Sequence, residues 1–187
     1  MLDKLFKVYI NIVPALRGCV KMCFCKVFRR EIYFGQLTRI KRNVEWKFYP
    51  GCKYSSGRGF LVGRDVTISV SRGANLYIGE NVGIGNRCQI VCHDCICIGD
   101  GTIIAPNVMI YDHNHLFDEE NGVRQREFEC AKVSIGKNCW LGAGCIILEG
   151  VTIGDNCVIG AGSVVTKDIP SGSVAVGSPA RVVNKGK

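Results

Sequence analysis

Two of the chain's three histidines, His113 and His115, stand one residue apart in "NVMIYDHNHLFDEEN" (residues 107–121), directly after an aspartate and an apolar run. The third, His93, lies in "VCHDCICIGD". An imidazole with a pKa near ~6.5 is mostly neutral around neutral pH and can take a proton from a hydroxyl, so each of the pair is a candidate general base. Imidazoles are also metal ligands, but a zinc site needs a third partner, and His93 is the one histidine left. Cys92, Cys95 and Cys97 beside it are ligand types too. Side chains along a strand alternate in direction, however, and no second ligand pair stands elsewhere at zinc spacing. Two polar residues in a solvated loop also need no role at all. The residues alone leave base, metal clip and plain loop open.

What must position these side chains is a repeat. From Ile135 onward an aliphatic residue returns every six positions: Ile135, Leu141, Ile147, Ile153, Ile159, Val165. Glycine usually follows it, and the fourth residue after it is small or β-branched: Cys139, Cys145, Val151, Cys157, Ser163, Ile169. Upstream, Ile78, Ile84 and Ile90 keep the period, which slips by two before Ile98, Ile104 and Ile110. A period of six matches neither a helix nor a simple alternation. It fits a short strand plus a turn, three such units closing a triangular coil. The chain is therefore expected to be all-β, a parallel β-helix with stacked aliphatic residues inside and glycine or asparagine at its corners. Cys88, Cys139, Cys145 and Cys157 fall on interior positions and read as core, whereas Val133 and Trp140 are assigned to the outer surface.

Between Ile110 and Val133 the period stops. A long inserted loop, residues 111–132, carries the histidine pair together with many charges, an Asn121-Gly122 turn, and Phe117 and Phe128 as anchors. Structureless loops beyond ~12–15 residues are uncommon in compact domains and usually functional. At the other end, residues 1–42 hold ten Lys and Arg against two acids, which accounts for the whole net charge of +8. The remaining body is neutral, which argues against nucleic-acid binding. Leu2, Leu5, Phe6, Tyr9, Ile12, Val13, Leu16 and Val20 recur at helical steps, so this basic arm is expected to be an amphipathic helix with a kink at Pro14. No uncharged run reaches the ~20 residues that span a bilayer; the arm either lies on an anionic membrane surface or caps the solenoid. The expected organisation is an arm at 1–42, a β-helix at 43–170 and a tail at 171–187. Twelve cysteines without a signal peptide or regular spacing imply reduced thiols and a cytoplasmic location, at the membrane surface if the arm binds there.

The repeats "IGENVG", "IGKNCW", "IGDNCV" and "IGAGSV" resemble those of left-handed hexapeptide-repeat acyltransferases over roughly residues 60–170. The order "APNVMIYDHNH", "IGKNCWLGAG", "IGDNCVIGAGSVVTKDIP" and "GSPARV" is similar to the sugar and xenobiotic O-acetyltransferases of that family, the maltose and galactoside enzymes among them. The resemblance implies a homotrimer whose active sites lie between subunits, with acetyl-CoA as co-substrate, a saccharide hydroxyl as acceptor and no metal. Counted from Asn107, the family's catalytic base falls on His115, with His113 as the alternative. The resemblance also implies an oxyanion donor at Ala143 and an active-site wall at Trp140. Acetyl-CoA would be held by Ala143, Gly160, Ala161, Thr166, Lys167 and Arg181, and the acceptor by Asn86, His93 and Asp94. Two alternatives are a zinc-dependent hydratase of the carbonic anhydrase kind and a repeat scaffold without catalysis.

Overall fold

The computed structural model describes residues 12–20, 23 and 31–185. Between Ile32 and Lys185 the chain winds through three parallel faces, two of six strands and one of eight. The first face stacks Ile32–Phe34, Lys53–Ser56, Asn75–Ile78, Cys95–Ile98, Val133–Ile135 and Thr152–Ile153. The second runs from Arg39–Ile40 through Ile103–Ile104, Trp140–Leu141 and Val158–Ile159 to Ser173–Gly177, against which Ala180–Lys185 folds back antiparallel. The third carries Glu45–Phe48, Thr67–Val70, Gln89–Cys92, Met109–Tyr111, Ile146–Ile147 and Val164–Val165.

The interior follows the period. Ile135, Leu141, Ile147, Ile153, Ile159 and Val165 are all buried, and so are Cys88, Cys139, Cys145 and Cys157. Cys88, Cys139 and Cys157 each aim Sγ at a carbonyl of the next coil, Ala105, Gly154 and Pro170, at 3.1 Å. Burial raises the Cys88 and Cys139 thiols and pushes Cys145 up to about 12, so these are packing groups and poor nucleophiles. The corners are left-handed turns, taken by Asn81, Asn107, Asn138 and Asn156 at φ of 53–60°, which asparagine tolerates better than most residues. Val133 corrects the sequence expectation: it is fully buried, because Val133 and Ile135 both point inward with Ser134 between them. Trp140 does face outward, at 54% exposure beside Ile103 at 59%.

Strand pairing also begins earlier than residue 43. Ile32–Phe34 lies in register with Tyr54–Ser56, so residues 32–42 belong to the first coil. Phe34, Trp46, Phe48 and Tyr54 pack edge to face and tilted over the open end, with centroids 4.8–5.8 Å apart. Residues 12–20 form a helix that rests on this coil through buried Pro14 and Gly18. A Cβ on Gly18 would collide with the Thr38 carbonyl oxygen, so only glycine permits that approach. The expected helical residues 1–11 lie outside the described residues. At the other end the tail is no appendage: Val174 and Ala175 pair with Val158 and Ile159 and continue the second face.

Candidate active site

The inserted loop is a β-hairpin, His113–Asp118 against Gly122–Cys130, rooted at the corner between the third and first faces. Asp112 is its root. Its side chain is fully buried, with Oδ1 accepting the His93 N–H at 2.8 Å and Oδ2 the Asp94 N–H at 2.9 Å. The Asp112 carbonyl accepts the Ala131 N–H at 2.9 Å, which closes the base of the hairpin. One residue thus caps the coil below and clamps both hairpin ends. Replacing Asp112 with alanine strands two partly buried N–H groups at ~1–3 kcal/mol each, so an unfolding stability lower by about 2–6 kcal/mol is expected in denaturant titration.

The two histidines fall in different environments. His113 packs face to face on His93, with ring centroids 3.7 Å apart and planes 5° from parallel, and its Nδ1 lies 3.2 Å from Asp112 Oδ1. Phe128 stands edge-on to both rings. Burial, then the neighbouring His113, holds the His93 pKa below its ordinary value, which keeps that ring neutral in the stack near neutral pH. His115 is exposed and leans on the other side of Phe128, centroids 4.6 Å apart. Its Nδ1 faces the Arg124 carbonyl oxygen at 3.4 Å. A carbonyl can only accept, so the tautomer matching this contact carries the proton on Nδ1 and leaves Nε2 a bare acceptor.

Of the acceptor set, His93 and Asp94 are brought to the hairpin root; Asn86 is not. Asn86 sits at the corner between the second and third faces, where its Oδ1 accepts the Arg64 N–H at 2.9 Å. The same corner, further along the solenoid, carries Ala143, Gly160 and Ala161, with Trp140 on the adjoining strand. This corner explains why the Ala143 amide is available. In other turns the first N–H is capped from the next coil: Arg64 by Asn86, Glu80 by Asp100, Lys137 by Asp155, at 2.7–2.9 Å. The equivalent residue above Ala143 is Ala161, which has no side-chain oxygen to offer. Among the described residues the Ala143 N–H has no partner, while its carbonyl accepts from Gly162 at 2.9 Å. Gly142 is required there, since a Cβ would come within 2.5 Å of the Ala161 nitrogen, and one on Gly160 would meet Val176 at 2.7 Å.

Thr166 and Lys167 follow the last strand of the third face, on the hairpin side, and are exposed. Arg181 is in the strand that folds back on the second face, its guanidinium donating to the Ala180 carbonyl at 2.8 Å, whereas Thr166 and Lys167 lie at the corner between the third and first faces. One chain therefore splits the expected site in two. The expected base, with His93 and Asp94, sits at one corner and the amide and groove residues at the next, at opposite ends of the strand Ile146–Ile147. From the sequence, Asp112, His113 and Asn114 are expected to fix the exit of the loop by local hydrogen bonds; Asp112 does anchor it, but chiefly through the backbone N–H groups of His93 and Asp94 in the coil below. Sequence reasoning missed Glu149, whose Oε1 accepts from Asn114 of the hairpin while Oε2 is shielded with no partner among the described residues. Cys92 points into the prism, Cys95 and Cys97 lie on the outer side of their strand, and His93 is stacked at the corner, so these four do not converge on one point.

A family profile described as "Hexapeptide repeat of succinyl-transferase" matches residues 132–167. Nodulation protein L of Rhizobium leguminosarum bv. viciae is 53% identical over 116 residues, which are 62% of this chain and 60% of that protein. The chain thus spans about three fifths of the nodulation protein L relatives it matches. The putative lipopolysaccharide biosynthesis O-acetyl transferase WbbJ of Escherichia coli (strain K12) is 31% identical over 69% of this chain and 70% of its own length. Among solved structures, a mutant of AntD, an N-acyltransferase from Bacillus cereus in complex with dTDP-4-amino-4,6-dideoxyglucose and coenzyme A, superposes with a TM-score of 0.70. It covers 87% of this chain and 88% of that one at 19% identity, a likeness of fold.

Proposed function

The chain belongs to the hexapeptide-repeat acetyltransferase family, and from that membership we propose that it moves an acetyl group from acetyl-CoA to a hydroxyl of a sugar or polysaccharide precursor. The observation that carries this is the hairpin, which interrupts the solenoid to hold His115 exposed with Nε2 bare. In the reaction Nε2 takes the proton of the acceptor hydroxyl as its oxygen attacks the thioester carbonyl. The tetrahedral oxyanion accepts the uncapped Ala143 N–H. Collapse breaks the carbon–sulfur bond, and the departing thiolate receives the proton from the His115 imidazolium, which returns the base to its neutral form. No enzyme-bound acyl group is needed, and the buried thiols are poorly placed to carry one.

Pantetheine would run past Ala143, Gly160 and Ala161, where the lack of side-chain bulk admits it, with the phosphates toward Thr166, Lys167 and Arg181. His93, Asp94 and the unpartnered Glu149 Oε2 are the polar groups on the acceptor side. A saccharide acceptor is supported by the names of the relatives and by the nucleotide-sugar complex of AntD. Because His115 and Ala143 lie at different corners of one prism, the site closes only between copies, and a threefold ring gives each base a neighbour's groove.

Calorimetric titration with acetyl-CoA tests the proposal, followed by mass spectrometry of a saccharide acceptor for an acetyl ester. Binding near one molecule per subunit is expected. Absence of acetyl-CoA binding would sink the transferase and favour the hydratase or scaffold, neither of which has use for a thioester.

A further inference from the structure

We propose that the end of the prism where the chain enters binds the phosphate headgroups of an anionic bilayer. There the helix at residues 12–20 lies across the first coil and leaves an open pocket of about 290 Å³. Its rim holds the cations Arg17, Lys41 and Arg42 over a floor of Ile40, Val44 and Trp46. Among the described residues no carboxylate pairs with any of the three cations; the nearby Glu45 is engaged by Lys47 in its own strand at 3.2 Å. Three unpaired like charges around one hollow repel each other until an anion fills it, and phosphate oxygens accept from guanidinium and ammonium groups alike.

A second observation comes from the other side of the same helix. Its seat on the coil is made by Pro14 and Gly18, while Ile12, Leu16 and Val20 are 50%, 59% and 70% exposed. A helix that only capped the solenoid would turn this ridge, spaced at four residues, onto the aromatic end of the prism. Here the bulky aliphatic side chains are outside and the small residues inside. An apolar ridge bordered by unpaired cations suits the interface of a bilayer, where the charges meet phosphates and the aliphatic groups enter the acyl boundary. Among the described residues up to 42, Arg17, Arg39, Lys41 and Arg42 against Glu31 leave a net +3 at this end of the prism, a long-range attraction to an anionic surface. Capping and membrane contact are thus two faces of one helix. The inference stands independently of acetyl transfer.

The test is flotation of the full chain with vesicles of phosphatidylcholine alone or with added phosphatidylglycerol. Binding is expected to the anionic vesicles only, and to fade as salt shortens the screening length from ~10 Å to ~3 Å. The combined Arg17→Gln, Lys41→Gln and Arg42→Gln variant is expected to bind about a hundredfold more weakly, at roughly fivefold per cation. Leu16→Ser with Val20→Ser should lose about tenfold through the apolar contact. Acetyl-CoA binding should stay unchanged in both, since the first coil precedes that of Ala143 by four coils along the same edge, about 19 Å at the strand spacing. If the triple variant unfolds, Arg17→Gln, on the exposed side of the helix, should still show its roughly fivefold loss. Equal partition into neutral vesicles overturns the proposal, and so does a folded triple variant that binds anionic vesicles as tightly as the parent.

Discussion

Replacing His115 with alanine is expected to lower kcat by roughly 10² to 10⁴, the usual contribution of one positioned proton acceptor, with little change in acetyl-CoA affinity. The separation follows from geometry. His115 is on the hairpin, whereas the residues assigned to the donor sit on other coils, so truncating the imidazole removes the base without disturbing the groove. His113→Ala should cost much less than His115→Ala. The His113 ring is stacked on His93, flanked by the edge-on Phe128 and tied to Asp112, so its removal loosens the hairpin root rather than deleting a group that reaches the acceptor. A positioning role also predicts that His113→Phe, which preserves the stack, recovers most of the activity. A larger loss from His113→Ala than from His115→Ala would transfer the base to His113.

The physical reasons why parts of this arrangement were legible in the sequence lie in coil length. Leu141 pairs with Ile159 eighteen residues on, three units of six, so the period from Ile135 onward reads cleanly. Ile68 pairs with Ile90 at twenty-two and Ile90 with Ile110 at twenty, because extra residues occupy the corner between the third and first faces. The same extra residues broke the period and hid the first coil, whose Ile32, Phe34 and Ile40 are buried like the later interior residues. His93 and Asp94 stand at that enlarged corner, and the stack of His93 on His113 exists because Val91 pairs with Tyr111. Registers of this kind join residues twenty apart and leave no local trace. Nor does a sequence show that Asp112 is wholly buried: the charge is tolerable only because its oxygens meet two backbone N–H groups and an imidazole, which become visible once the coil closes. The outward Trp140 was readable, since it follows the interior Cys139 directly, but Val133 was not, because the insertion resets the frame just before it.

The largest recovery of activity should come from mixing two disabled forms. Ala161→Asn places a side-chain oxygen where Asn86, Asp100 and Asp155 cap the turns of other coils, and is expected to take the Ala143 N–H away from the oxyanion. Loss of one such donor lowers kcat by roughly 10² to 10³. His115→Ala and Ala161→Asn should each therefore be nearly inactive alone. If base and amide come from different copies, some sites in mixed rings draw an intact base from a copy carrying Ala161→Asn and an intact amide from a neighbour carrying His115→Ala. Random assembly of equal amounts makes that pairing at about a quarter of interfaces, so subunit exchange should restore about a quarter of the parent activity. A site built within one chain gives no recovery, because every copy then carries one defect. The face between the two corners is what makes the outcome decisive, since His115 and the Ala143 amide of one chain stand at opposite ends of its strand, Ile146–Ile147. Light scattering on the same samples should report three copies per particle. A monomer that still turned over acetyl-CoA would show that the hairpin reaches its own groove by a rearrangement of the corner.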